Sequence, residues 1–201
     1  MKDKKFKGEF GYIPYRKKVS IIRSVVLLAL TVAVFVAGLI IYSSQKNVFS
    51  IVAALLALPT GLSFVNMFIF LKAKGCSNGD HKQIEEHKGG LLIRYDHVIT
   101  SYDKNFNVDA STVLDKNICC YTSHKSFDAS DLEKHIKKMM AQGGHSGYSI
   151  KVFDNLPHFL ERLDSLEKLR LEKDIDPQAI EDAWVPGTSE TPASVLLSIS
   201  L

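Results

Sequence analysis

The sequence predicts a membrane hairpin of two transmembrane helices, followed by a small cytosolic α+β domain with elements in the order α-β-β-β-α-β-α. Two long uncharged stretches lie near the N-terminus, and short β-branched or aromatic runs alternate with helical patterns after them. Charge divides the chain in the same way. Residues 1–75 hold 11 Lys and Arg against 2 acids, and residues 76–201 hold 14 against 20. This composition excludes a disordered chain, a collagen-like chain and a disulfide-rich secreted domain.

The two apolar stretches, residues 24–45 and 47–71, contain no charged side chain. A hydrocarbon core about 30 Å thick requires about 20 helical residues, so each stretch is long enough to cross it. Buried helices of a soluble protein rarely lack a polar face over such a length. The apolar region of a cleaved signal peptide is shorter. Two membrane spans joined by a tight connector at residues 42–47 are therefore expected.

Lys and Arg counts predict the orientation of the hairpin. Eight of these residues precede the first span and one, Lys46, lies in the connector. Because cytoplasmic flanks are enriched in Lys and Arg, both termini are expected on the cytoplasmic side of the cell membrane, with the lipid bilayer as the first partner. The expected divisions are a basic tail (1–20), the hairpin (21–72), the cytosolic domain (76–173) and a tail with a short helix and a linker (174–201).

Small residues recur at four-residue spacing in both spans, and such seams allow close helix packing in lipid. They would join the two helices of one hairpin or, as the alternative, helices of separate protomers. Asn66, the most polar residue of either span, is expected to assist this packing. No ionisable residue lies within the spans, which disfavours a transporter or channel. The seam residues are Ala29, Ala33 and Ala37 in the first span and Ala53, Ala57 and Gly61 in the second.

The polar part of the chain carries signals for three helices and four strands. Helices are predicted at residues 80–87, from the N-cap Asp128 to about residue 142, and from Asn155 to about residue 169. Phe127 and Leu132 are placed as a hydrophobic staple. Strands are predicted at residues 91–102, 106–114, 118–122 and 148–153, with turns at 103–105 and 115–117. A further short helix starts at Asp176-Pro177.

A Cys/His pairing is the first chemical possibility. Cys119 and Cys120 are adjacent, and His124 follows closely. Because neighbours on a strand point to opposite faces, the two thiols are poorly placed to bind one metal ion, and one of them is expected in the core. A catalytic cysteine and a zinc site therefore stay minor alternatives, and no metal site is predicted.

The predicted order also matches the core of restriction-endonuclease-like nucleases. Those enzymes hold Mg²⁺ with a carboxylate on one strand and a Glu/Asp-x-Lys triplet on the next. Here the third strand carries Cys119 and Cys120 and supplies no such triplet, so Asp96, Asp103 and Asp109 could hold a metal only in an arrangement unlike that of these enzymes. The net charge of −6 over residues 76–201 opposes binding of a polyanion. Neither a nucleic acid partner nor a cofactor is expected, since no phosphate-binding or dinucleotide-binding spacing occurs.

Three segments carry a resemblance to a known group of proteins. They are Phe10-Gly11-Tyr12-Ile13-Pro14-Tyr15, Phe70-Leu71-Lys72-Ala73-Lys74-Gly75-Cys76 and Leu160-Glu161-Arg162-Leu163-Asp164-Ser165-Leu166. Over residues 8–167 the chain resembles uncharacterised two-pass membrane proteins of Gram-positive anaerobes. That resemblance implies a two-pass architecture and no activity.

These observations favour a membrane-anchored cytosolic interaction or scaffold module without catalytic activity, which binds a protein partner or self-associates. The first alternative is a membrane-tethered hydrolase or nuclease-like enzyme with an unfamiliar site, which would need polar side chains such as Asp109 and His124 to converge. The second is an accessory subunit of a larger membrane complex, which would need a partner span against the small-residue seams.

Overall fold

The computed structural model describes residues 4–44, 47–101, 104–124 and 128–201. Contacts divide the chain into a helical unit, residues 13–73, and an α/β unit that joins residues 1–12 to residues 74–201. This division differs from the predicted one at both ends. The segment before the first span and the tail after residue 173 both belong to the α/β unit.

The helical unit consists of α1 (Tyr12–Tyr42) and α2 (Val48–Lys72), each long and apolar enough to cross a membrane. Most of their large apolar side chains are exposed, as on Ile40 and Leu58. Hydroxyl groups form the contact between the helices. Ser24 Oγ lies 2.9 Å from Ser63 Oγ, and Thr31 Oγ1 lies 3.0 Å from Thr60 Oγ1. Gln45 and Lys46 of the predicted connector lie outside the described residues.

The helix contact differs from the predicted alanine seam. Ala53 is buried in it as expected, and Ala37 is half-buried. Ser and Thr are as small as the seam requires and also pair their hydroxyls where no water is present, so they occupy the contact in place of alanine. The remaining predicted residues lie on exposed faces of the hairpin: Ala29, Ala33, Ala57, Gly61 and Asn66.

The α/β unit is built on a four-stranded mixed sheet. Its strands are β1 (Ile93–Thr100), β2 (Asn105–Leu114), β3 (Asn117–Tyr121) and β4 (Ser149–Phe153), in that spatial order. The first three are antiparallel neighbours, and β4 runs parallel to β3. The helices are α3 (Asn78–His87), α4 (Ala129–Gln142), α5 (Leu156–Glu172), α6 (Pro177–Asp182) and α7 (Pro192–Ser198).

Two hydrophobic clusters cover the two faces of this sheet. The first combines side chains of α3 and α5 with Tyr95, Ala110 and Cys119 of the strands. The second combines α4 and α7 with Ile99 and Cys120 of the strands, among others. A small domain thus buries apolar surface on both sides of one sheet, as layered α/β folds require.

Strands β1 and β2 exchange faces of the sheet near Asp96 and Asp109. Side chains an even number of positions apart on a regular strand face the same side. Yet Tyr95 belongs to the first cluster and Ile99 to the second, and Ala110 and Val108 are divided in the same way. Asp96 has a left-handed backbone with φ of +57°, which Asp tolerates better than most residues. This turn within β1 carries the strand from one cluster to the other.

Both terminal segments cover the outer edge of β1. The Tyr95 N–H donates to the Gly8 carbonyl at 2.8 Å, and the Leu201 N–H donates to the Val98 carbonyl at 2.9 Å. Lys7 Nζ also donates to the Ser200 carbonyl. Because an uncovered edge strand invites pairing with other chains, these segments protect the sheet.

Helix α4 begins at the predicted cap. The Asp128 carboxylate accepts the Ser130 N–H at 2.9 Å, as a helix N-cap residue does. The predicted staple residue Phe127 and the predicted turn residue Asp103 lie outside the described residues. The apolar face of α4 buries Leu132, Ile136 and Met140 completely.

Replacing Leu132 or Ile136 by alanine should lower the free energy of unfolding of the α/β unit by about 2–4 kcal/mol, because each deletion leaves a cavity in the second cluster. Pulse proteolysis of the full-length chain in detergent and urea measures this change. Lys137→Ala on the exposed face of the same helix is the control and should cost less than about 0.5 kcal/mol. Equal losses from both kinds of substitution would show that this face is wrongly assigned.

Candidate functional site

The two adjacent thiols of β3 lie in separate hydrophobic clusters. Cys119 is buried beneath α3 and α5, and Cys120 is buried beneath α4 and α7, so both are core residues where one was expected. Burial raises the pKa of each thiol, and nearby Arg162 offsets only part of this effect at Cys119. A protonated, buried thiol is a poor nucleophile and metal ligand. These two cysteines therefore act as small apolar side chains.

The other two candidates, Asp109 and His124, do come together. Asp109 is completely buried, its Oδ2 accepts the Ser123 N–H at 2.5 Å, and His124 Nε2 lies 3.5 Å from its Oδ1. Thr122 positions the histidine, because its Oγ1 accepts the His124 N–H at 3.1 Å. Over the described parts of the chain, no three His, Cys, Asp or Glu side chains are placed to hold one metal ion. The pair thus binds the loop after β3 to the sheet.

Asp96 is the buried acid whose role the sequence analysis missed. Its Oδ1 accepts the Cys76 N–H and its Oδ2 accepts the Gly11 N–H, both at 2.8 Å. One carboxylate therefore binds the segments that precede α1 and follow α2. Gly75 lies so close that a Cβ there would come within 2.6 Å of Asp96 Oδ1. An Asp in the middle of a β-branched and aromatic run was the available signal.

Further polar contacts surround this carboxylate. The Tyr95 hydroxyl donates to Glu85 at 2.8 Å, and the Tyr121 hydroxyl donates to Asp80 at 2.9 Å, so both tyrosines hold α3 against the sheet. Burial, followed by the charges of Asp109, Asp80 and Asp96, raises the pKa of the Cys76 thiol. The polar groups near Asp96 are thus engaged with one another or with backbone N–H groups.

A nuclease-like arrangement finds little support in this geometry. Strand β3 lies beside the strand of Asp109. It carries the buried residues Cys119 and Cys120 at the positions where these nucleases have a Glu/Asp-x-Lys triplet. Asp109 is completely buried, whereas the metal ion that such a carboxylate binds must contact the scissile phosphate.

His97 is a second buried polar group that serves the fold. Its Nε2 lies 2.8 Å from the Ser111 hydroxyl, joining β1 to β2 beneath α7. Burial, helped by the charges of Lys7 and Arg94, lowers the pKa of His97 to about 4. The imidazole is therefore neutral in the folded domain at neutral pH.

A groove of about 280 Å³ lies between α6 and the β2–β3 turn of the α/β unit. Its walls are apolar and come from Val113 and Leu114 of β2, from Ile180 of α6 and from residues around Tyr148 and Pro192. Two carboxylates, Asp115 and Glu181, stand among them. The predicted tail thus forms one wall of the groove, because the start of α7 is anchored by the buried side chains that follow it.

Gly75→Ala should destabilise the α/β unit by about 1–3 kcal/mol, because the added methyl displaces a carboxylate that satisfies two buried N–H groups. Hydrogen exchange at Gly11 and Cys76 in the full-length chain should increase together. Gly79→Ala is the matched control, since the nearest atom to its Cβ is Ser77 Oγ at 3.7 Å. Unchanged exchange in Gly75→Ala would remove this role from Asp96.

The free energy of unfolding of the α/β unit should fall as the pH drops from about 6.5 to about 4. In this range the unfolded chain binds a proton at His97, whereas the folded domain keeps His97 neutral. This histidine contributes up to about 1.4 kcal/mol per pH unit in that range. Unfolding of His97→Gln should show a shallower slope over the same range, while His158→Gln on an exposed position of α5 keeps the wild-type slope. Parallel slopes in all three proteins would contradict the assignment.

Comparisons with known proteins add no assignment to this geometry. No family model, no curated protein and no solved structure matches the chain. The function proposed below is therefore argued from the α/β unit, its groove and the two apolar helices.

Proposed function

We propose that this chain anchors a non-catalytic protein-interaction domain to the cytoplasmic face of the cell membrane. One observation carries the proposal. The α/β unit presents an apolar groove, while both Asp96 oxygens and one Asp109 oxygen accept backbone N–H groups. Apolar grooves receive the anchoring side chains of peptide segments, whereas a catalytic site needs polar groups that converge on a reacting atom.

The exposed faces of α1 and α2 support the anchoring part of the proposal. A soluble protein would bury side chains such as Ile22, Val26, Leu55 and Leu62, but each is more than half exposed on the hairpin. Burial of a large apolar side chain contributes about 1.5–3 kcal/mol, so two helices with many such side chains strongly favour lipid over water. Ser24 and Ser63 pair between the helices, which keeps these hydroxyls away from hydrocarbon.

The segments that flank the hairpin support a firm attachment. Gly11 and Cys76 bind the same carboxylate, so the chain leaves the α/β unit and returns to it at one place. The positive charges before the first span favour the cytoplasmic side for this attachment. The domain would then be held near the membrane surface by two adjacent segments, leaving its remaining surface accessible to a partner.

The enzyme alternative depends on Asp109 and His124, the candidate acid and histidine that lie within 3.5 Å of each other. Asp109 also accepts the Ser123 N–H, so the pair already joins β2 to the loop after β3. The accessory-subunit alternative depends on the small residues that face outward from the hairpin, including Ala33 and Gly61. Both alternatives share the membrane anchor, so the topology experiment below tests a premise common to all three.

A reporter that is active only in the cytoplasm should work when fused after Leu201, because the basic segment before α1 is retained on that side. Fluorescence of such a fusion in intact cells measures the orientation. The matched control is the same reporter inserted after Ser44, which should be inactive there, while an export-dependent phosphatase should be active. Phosphatase activity from the fusion after Leu201 would overturn the proposed topology.

A further inference from the structure

The groove between α6 and the β2–β3 turn combines apolar walls with negative charge. We infer that it binds a short segment of another protein in which large apolar side chains alternate with Lys or Arg. This inference rests on the proposed function, because it names the partner chemistry of the same interaction domain.

The size of the groove suits a few side chains better than a free small molecule. Its volume of about 280 Å³ lies just below the range of about 300–1,000 Å³ that is usual for small-molecule sites. Ile180 stands at its margin with 52% of its surface exposed. Trp184 and Val185 follow at 40% and 59%, outside the groove lining. Helix α6 and the residues after it therefore offer more apolar surface than a solvated helix needs, which marks a contact surface.

The charge around the groove selects a basic partner. Residues 171–201 contain six acids and one basic residue, Lys173. Two of the carboxylates, Asp115 and Glu181, line the groove itself. Lys173 pairs with Asp115 at 2.7 Å, but both side chains are more than one third exposed, so this ion pair is readily exchanged for another. Lys116 also lies near Asp115, and Arg170 lies near Asp174 and Asp176. The described lining of the groove nevertheless contains two acids and no Lys or Arg, so the groove itself is negatively charged.

The same charge disfavours the other classes of macromolecule. Nucleic acids and anionic lipid headgroups both carry negative charge and would be repelled by Asp115 and Glu181. A Lys or Arg of a protein segment would instead pair with these carboxylates, while its apolar neighbours fill the groove. Complementary charge of this kind mainly sets specificity and the association rate, and the apolar contacts supply the affinity.

The experiment is a peptide-display selection on the full-length chain in nanodiscs of neutral lipid. A random 12-residue library is depleted on empty nanodiscs and then enriched on the protein. The expected peptides carry at least two large apolar side chains and at least one Lys or Arg. Ile180→Asp should weaken their binding by tenfold or more, and Glu181→Lys should weaken the basic peptides while acidic analogues gain. Leu171→Asp, an equally exposed apolar position outside the groove lining, is the matched control and should bind as the wild type does.

The possible outcomes separate the groove from the proposed function. Enriched peptides that bind Ile180→Asp and wild type equally would overturn the groove as their site while leaving an interaction domain. Enriched peptides that are acidic or lack charge would overturn the basic partner. If no peptide is enriched over empty nanodiscs, both the groove and the interaction function are contradicted.

Discussion

The carboxylate of Asp96 is the interaction on which the rest of the domain depends. It binds Gly11 with one oxygen and Cys76 with the other, so it holds both segments that lead to the hairpin. The left-handed backbone at the same residue turns β1 from the first hydrophobic cluster to the second. A buried carboxylate is costly unless hydrogen bonds compensate for lost hydration. The flanking segments supply that compensation, so the fold of the α/β unit depends on the two segments that precede α1 and follow α2.

Asp109, on the neighbouring strand β2, also binds a segment outside the sheet. It stands beside the point where β2 changes cluster, and its Oδ2 accepts an N–H from the loop after β3. Two buried acids on the adjacent strands β1 and β2 would suggest catalysis if their oxygens faced an open cleft. Both Asp96 oxygens and Asp109 Oδ2 instead accept N–H groups of segments outside the sheet, and Asp109 Oδ1 is buried 3.5 Å from His124 Nε2. These two acids thus join parts of the fold.

Sequence patterns predicted the parts that local physics determines. The cap at Asp128, the short helix after Asp176 and the strand limits within a few residues follow from caps, turns and side-chain periodicity. Spacing alone could not distinguish the alanine seam from the hydroxyl pairs of Ser24 and Thr31, because both consist of small residues at helical spacing. The role of Asp96 depends on Gly11, which lies 85 positions away in the chain. The groove depends on α7, whose seven residues show too little periodicity to reveal what they pack against.

The segment of residues 192–201 contacts both the groove and β1, the strand that carries Asp96. Val195 and Leu196 anchor α7 in the second cluster, and this places Pro192 and Ala193 in the groove wall. A few residues later, the Leu201 N–H pairs with Val98, two positions beyond Asp96 on the same strand. Loss of the Asp96 contacts would therefore disturb the strand edge on which the groove-forming segment docks. Packed elements change between discrete arrangements more readily than they deform. The proposed binding surface therefore requires the same geometry of β1 that the Asp96 contacts require.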